Sequence, residues 1–188
     1  MTDYARLTDH ISRRHNVLPI CVIAKHLGME PRHIVEVGVY KSQGAVSWRR
    51  EFPDAHLWLV DPWQAREPKF SIYRENPEQA DWDALHLFNQ KFWWGDERAH
   101  IMRCTSGEAA ELMRLPLDIV YLDGLHDYEN VRDDIRRWLP LVTRGGIISG
   151  HDYSHGRGHG GVIQAVDEAF GDDKIVCERQ KVWAKIIP

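Results

Sequence analysis

No stretch of this 188-residue sequence approaches the run of about 20 apolar residues that a helix needs to cross a bilayer. Met1 to His10 is polar and lacks the apolar core of a secretory signal. Cysteine is scarce: Cys21, Cys104 and Cys177 stand far apart, odd in number and without C-x-x-C spacing. That excludes a disulfide framework and a zinc knuckle, and predicts reduced, buried thiols in a cytoplasmic protein. A basic surplus is also missing. The net charge is −4, and Arg13-Arg14 and Arg136-Arg137 are short enough to be solvated helix faces. Neither a nucleic acid nor a membrane is expected as a partner. There is no internal repeat, no low-complexity tract and no G-x-G-x-x-G dinucleotide fingerprint.

What is present is an alternation of short apolar runs with helical patterns, the mark of parallel strands joined by helical crossovers. Residues 3–28 read as one or two helices, with Pro19 near the start of the second, ended by Gly28 and Pro31. Strands are predicted at His33 to Gly38, Leu57 to Asp61, Ala99 to Cys104, Leu117 to Asp123 and Ile147 to Gly150. Between them fall helices at 42–51, opened by Ser42 as a cap, and at Glu78 to Phe92, Gly107 to Arg114 and Tyr128 to Leu139. Pro140 stops the last of these, and Gly145-Gly146 turns the chain into the fifth strand. A helix at Val162 to Phe170 precedes two strands, Asp173 to Cys177 and Val182 to Ile187, whose short connection makes them antiparallel. The expectation is a single α/β domain over 1–188. It has a doubly wound, mostly parallel seven-stranded sheet and an antiparallel C-terminal hairpin, with a helical cap at 1–30 and a Trp-rich insertion at 62–94.

The first strand runs into Val35-Glu36-Val37-Gly38-Val39-Tyr40-Lys41-Ser42-Gln43-Gly44, which has the form E-x-G-x5-G. Glycine at a strand-to-helix turn lets the backbone approach a ligand, and the following helix N-terminus adds a positive field. Glu36 suits a ligand with a positively charged end and would repel a pyrophosphate. The alternative is an ordinary tight turn. Asp61 ends the second strand, 23 residues after Gly38, where a carboxylate can accept hydrogen bonds from ribose hydroxyls or simply cap the loop before Pro62.

Over residues 30–188 the sequence resembles class I S-adenosylmethionine-dependent methyltransferases. In particular it looks like the small group related to macrocin-type sugar O-methyltransferases and cephalosporin-biosynthesis methyltransferases. VEVGVYKSQGA, DIVYLDGLHDYENVRDDIRRWLPLVTRGGIISGHDY and GVIQAVDEAF carry the likeness. It implies that Glu36, Gly38 and Gly44 hold the methionine moiety of S-adenosylmethionine and Asp61 its ribose. Thr105, Ser106 and Glu108 would lie near the adenine, although Ser or Thr there is also a normal helix cap. Tyr40, inside the motif, and Asp123 complete the expected cofactor site.

In an open α/β sheet, ligands bind outside the carboxyl ends of the strands. Asp123 ends the fourth strand and His151-Asp152 the fifth. Strands lie about 5 Å apart, so these side chains can converge on one divalent metal, Mg²⁺ or Mn²⁺. Related metal-dependent O-methyltransferases have an acidic pair or Asp-Asn where this chain has His151-Asp152. That departure shifts the choice toward Mn²⁺, Fe²⁺ or Zn²⁺, leaves only the two aspartates as ligands, or removes the metal. His126, three residues after Asp123, falls where the resembling families place a general base for the acceptor hydroxyl, and imidazole titrates in the right range. Asp123 is otherwise a helix cap, and His126 a structural residue. His155 to Gly161 forms a His/Gly loop beside this site.

In the insertion, the spacing of Leu85, Phe88 and Phe92 predicts core packing, whereas Trp63 is the better ligand-facing candidate. Trp93-Trp94 is equally compatible with a protein interface, and a homo-oligomer is compatible with the sequence. The reading is therefore an O-methyltransferase acting on a small-molecule hydroxyl of a sugar or natural product. Its competitors are a nicotinamide-dependent enzyme, disfavoured by the missing fingerprint, and a noncatalytic S-adenosylmethionine-binding module.

Overall fold

A computed structural model describes residues 16–65, 78–155 and 160–188. The predicted helix pattern before residue 16, most of the 62–77 loop and residues 156–159 of the His/Gly loop lie outside these. The elements are α1 (Leu18–His26), β1 (His33–Val37), α2 (Gln43–Glu51), β2 (His56–Val60), α3 (Gln79–Phe92), β3 (Ala99–Met102) and α4 (Ser106–Leu112). They continue with β4 (Leu117–Leu122), α5 (Tyr128–Trp138), β5 (Val142–Gly150), α6 (Gly160–Phe170), β6 (Ile175–Cys177) and β7 (Val182–Ile186). One seven-stranded sheet has the order β3-β2-β1-β4-β5-β7-β6. The first five strands pair in parallel, and β7 runs antiparallel to both β5 and β6. The doubly wound sheet with an antiparallel C-terminal hairpin is therefore as expected.

The strands read as nearly continuous apolar runs because both faces are covered, and the period of two divides each run between the faces. Ile34, Leu57, Leu59, Ile119 and Tyr121 pack with α1, α2 and the Trp63 and Trp93 side chains. Val35, Val37, Val60, Val120 and Ile148 pack instead with Ala109 of α4, Val131, Ile135 and Trp138 of α5, and Val166 of α6. Glu36, two residues after Ile34, thus points to the α2 side, where it is buried. Parallel pairing brings the turns after β1, β2, β4 and β5 to one edge of the sheet, which is where the candidate site lies.

The structure departs from the sequence reading in β5, in α3, at Trp63 and, in the turn after β1, at Ser42. Strand β5 begins at Val142, so Gly145-Gly146 lies within it, at an irregularity in its register with β4. Both glycines pair through backbone hydrogen bonds with Ile187. In α3, the inner stripe is Trp82, Leu85, Asn89 and the following Trp93; Phe88 and Phe92 are about half exposed (48% and 52%). Trp63 is fully buried rather than ligand-facing. The stripe is rotated because the buried Asn89 and Trp93 side chains hydrogen-bond to the turn after β1, an attraction with no hydrophobic signature. Among the described residues no helix is long and apolar enough to cross a membrane, and Cys21, Cys104 and Cys177 form no disulfide.

Candidate active site

The turn after β1 is shaped by the protein's own packing. Gly38 has φ +89°, and a Cβ there would collide with the carbonyl oxygen of Asp123 at the end of β4. A Cβ at Gly44 would stand 2.5 Å from Glu36 Oε1. The two glycines of the motif therefore seat this turn against β4 and leave room for the Glu36 carboxyl. Burial first, and then the Asp123 charge, push the Glu36 carboxyl well above the usual carboxylate range. The Trp48 indole opposes this without making a hydrogen bond of regular geometry, so among the described residues Glu36 Oε2 has no hydrogen-bond partner. A buried acceptor left open in this way suits a cationic ligand group.

Ser42 precedes α2 with φ +60° but does not cap it. Its hydroxyl instead donates to Asn89 Oδ1 and accepts from the Trp93 indole at 2.9 Å. Asp61 receives the Tyr40 amide on one oxygen (2.9 Å) and the Trp63 amide on the other (2.7 Å). Thr105 and Glu108 form a capping box at the start of α4: the Thr105 amide and hydroxyl donate to Glu108 Oε2, at 2.8 and 2.7 Å. The Ser106 hydroxyl bonds Asp134 (2.5 Å) and accepts from the Trp138 indole (2.9 Å), both on α5. A cavity of about 340 Å³ opens beyond β2 and β3, lined by Pro62, Gln64, Arg103, Thr105 and Glu108 among others. Thr105 and Glu108 border it, and Ser106 is not part of its lining.

At the ends of β4 and β5, Asp123, His126, His151 and Asp152 come together. His126 Nε2 lies 3.1 Å from Asp152 Oδ2 and 3.8 Å from Asp123 Oδ1. His151 Nδ1 lies 3.2 Å from Asp152 Oδ2 and 3.8 Å from Asp123 Oδ1. Asp152 has φ +58°, an uncommon conformation for a non-glycine residue. Burial works to lower the basicity of both imidazoles, but the adjacent Asp123 and Asp152 carboxylates outweigh it and raise both. Asp123, His126 and Asp152 each offer one donor atom, and these lie within 4.8 Å of one another. Two carboxylates and an imidazole form a donor set that fits a divalent transition ion such as Mn²⁺, Fe²⁺ or Zn²⁺. His151, expected as the third ligand, flanks that trio.

Two residues near this edge went unnoticed in the sequence. Asn16 donates from Nδ2 to Asp123 Oδ2 at 2.9 Å, and Asn89 fastens the turn after β1. A lone polar residue, one before a helix and one within a polar helix, leaves no periodic signal to find.

The sequence matches the family model for the methyltransferase domain over residues 35–153. The chain belongs to the methyltransferase-domain family. No curated protein matches it. Among solved structures, the methyltransferase superposes on PaMTH1, an S-adenosylhomocysteine-bound methyltransferase from Podospora anserina, with TM-score 0.60 at 13% identity, covering 90% of this chain and 78% of that one. Cofactor-bound Rv0187 from MTB gives TM-score 0.61 at 16% identity, over 98% and 85% of the two chains. A candidate O-methyltransferase from Klebsiella pneumoniae gives 0.62 at 16%, again over 98% and 85%. At these identities the likeness establishes a shared fold, the class I methyltransferase architecture.

Proposed function

We propose that this methyltransferase moves the methyl group of S-adenosylmethionine to a hydroxyl of a small molecule, a sugar or natural product. The observation that carries the proposal is the meeting of Asp123, His126, His151 and Asp152 at the same sheet edge as Glu36 and Asp61. One side of the cleft offers an open, buried carboxyl for a cationic cofactor end and a second carboxylate, Asp61, for ribose hydroxyls. Gly38, Tyr40 and Gly44 shape that side. The cavity bordered by Thr105 and Glu108 takes the nucleoside end; Ser106 supports it from behind through α5. The other side supplies the groups that remove a proton.

In the transfer, the acceptor oxygen forms a bond to the methyl carbon while the S–C bond breaks and its electron pair returns to sulfur. The hydroxyl proton passes to His126 Nε2, where Asp152 Oδ2 at 3.1 Å stabilises the imidazolium. Asp123 and Asp152, with a histidine, would hold a divalent ion, which when bound would lower the pKa of the acceptor hydroxyl. A second reading has specific support: the donor atoms that converge include His126 rather than His151. In that case His126 is a ligand, and His151, 3.2 Å from Asp152, takes the proton. Cys21, Cys104 and Cys177 form no disulfide, which suits a reducing, cytoplasmic location.

The test begins with calorimetry against S-adenosylhomocysteine and NAD. Binding of the first and not the second is expected; the reverse sinks the proposal in favour of a nicotinamide enzyme. Methyl-labelled S-adenosylmethionine with a panel of sugars, catechols and phenols, with and without Mn²⁺, then reads the acceptor class. Binding of S-adenosylhomocysteine with no transfer to any hydroxyl would favour a noncatalytic module.

A further inference from the structure

We infer that Asn89, from the Trp-rich insertion, is the positioning residue that holds the Tyr40–Ser42 turn in the shape needed to bind the cofactor. The inference rests on the reading of Glu36, Tyr40 and Asp61 as the cofactor side.

Three non-glycine residues around this turn have left-handed backbones: Tyr40 (φ +47°), Ser42 (φ +60°) and Trp63 (φ +40°). Each such residue is strained and persists only where its surroundings over-determine it. Here the surroundings are a buried polar network centred on one side chain. Asn89 is fully buried, the only buried residue of α3. Its Nδ2 donates to the Tyr40 carbonyl and to the Leu85 carbonyl, each at 2.8 Å, and its Oδ1 accepts from the Ser42 hydroxyl. Both amide hydrogens and the amide oxygen are thereby used. The Trp63 indole adds a second donor to the Tyr40 carbonyl at 3.1 Å, and the Trp93 indole donates to the Ser42 hydroxyl at 2.9 Å. The Tyr40 amide is tied to Asp61.

Both left-handed residues of the turn are thus bonded to one amide group on α3. The remaining α3 side chains are partly or fully exposed, so the helix adds little to the sheet core beyond the edge contacts of Trp82 and Leu85. Its distinctive contribution is to the turn. The insertion is in this reading a clamp that pre-organises the cofactor side, so that binding does not have to supply the strain energy.

The experiment is calorimetric titration of the full-length protein with S-adenosylhomocysteine, alongside thermal unfolding, for the parent, Asn89→Ala, Trp93→Phe and the double variant Asn89→Ala/Ser42→Gly. Asn89→Ala should raise the Kd about tenfold, the scale of one or two buried hydrogen bonds. Trp93→Phe removes a single donor and should raise it about threefold. That variant carries the test if Asn89→Ala does not fold. The double variant should bind more tightly than Asn89→Ala, because glycine adopts the left-handed backbone without the clamp. Damage to packing alone would not be repaired by Ser42→Gly. The inference is overturned if folded Asn89→Ala or Trp93→Phe binds like the parent, or if Ser42→Gly recovers nothing. A parent that fails to bind S-adenosylhomocysteine overturns instead the underlying reading of the cofactor side.

Discussion

On the β1–β2 side of the cleft, the Tyr40 and Ser42 groups are met by amide, indole and carboxylate partners at hydrogen-bonding distance. On the β4–β5 side, two carboxylates and two imidazoles face one another at 3.1 to 3.8 Å, with Asn16 contributing one neutral donor to Asp123. The first side has its shape fixed before anything binds. The second has charge set against charge, so its protonation depends on pH and on any cation that enters. The comparison predicts that changes on the β4–β5 side disturb turnover, while changes on the β1–β2 side disturb binding.

The sharpest test is chelation. Excess EDTA should abolish turnover and leave S-adenosylhomocysteine affinity unchanged, because Asp123 and Asp152 serve the acceptor side. Full turnover in EDTA would remove the metal from the scheme and leave Asp123 as an orienting group. Next in size, His126→Ala should lower kcat by about 10²- to 10⁴-fold, the range for losing a positioned base. The pH profile carries a sign. The flanking carboxylates hold His126 above its ordinary 6.5 in the metal-free protein, so its base form grows as pH rises through a midpoint above that value; in the metal-loaded enzyme kcat should rise with pH in the same sense. Added Mn²⁺ should move the midpoint down. Near-parental kcat for His126→Ala across pH 6 to 9, with a loss for His151→Ala, would exchange the two roles.

On the opposite side, Asp61→Ala should weaken S-adenosylhomocysteine binding by about 1–3 kcal/mol, from lost hydrogen bonds to a charged acceptor and a loosened Tyr40 turn. Turnover at saturating S-adenosylmethionine should change much less. If kcat falls as far as affinity does, the two sides are not separable as described.

How much of this was legible in the sequence follows the same division. Strand ends could be located from apolar runs, so Glu36, Asp61, Asp123 and Asp152 were placed at one sheet edge without coordinates. His126 was found by its offset from Asp123. The closed network was not legible. Asn89 sits among polar residues in a helix whose aromatic positions suggested a different inner face, and Trp63 looked available because nothing in its neighbourhood foretold that α3 would pack against it. Long-range hydrogen bonds between loop and helix have no period, and sequence patterns report little besides period. The glycines show a subtler limit. Gly38 and Gly44 were read as places where the backbone approaches a ligand; what approaches them here is the Asp123 carbonyl and the Glu36 carboxyl.

The smallest expected effect tests whether buried charge near the β4–β5 side matters for chemistry or only for stability. Asp134 on α5 accepts the Ser106 hydroxyl at 2.5 Å, and burial pushes its carboxyl up to about 6. Its folded pKa lies above the ordinary 3.8, so the neutral acid is the form the fold prefers. The resulting stabilisation is complete below pH 4 and is lost as pH rises through about 6; at neutral pH the carboxylate weighs against folding. Asp134→Asn keeps an oxygen for Ser106 and removes the charge. It should stabilise the protein at pH 7.5 by about 1–2 kcal/mol, discounted for partial solvent screening, and the gain should vanish near pH 4. Urea unfolding at the two pH values measures the difference. S-adenosylhomocysteine affinity and kcat should stay within about twofold of the parent, because additivity holds for groups that share no partner with the reacting ones. A fall in kcat without a change in stability would mean that the charge of Asp134 reaches the Asp123–His126 pair. The electrostatic side of the cleft would then extend through α5, well beyond the four residues that face each other.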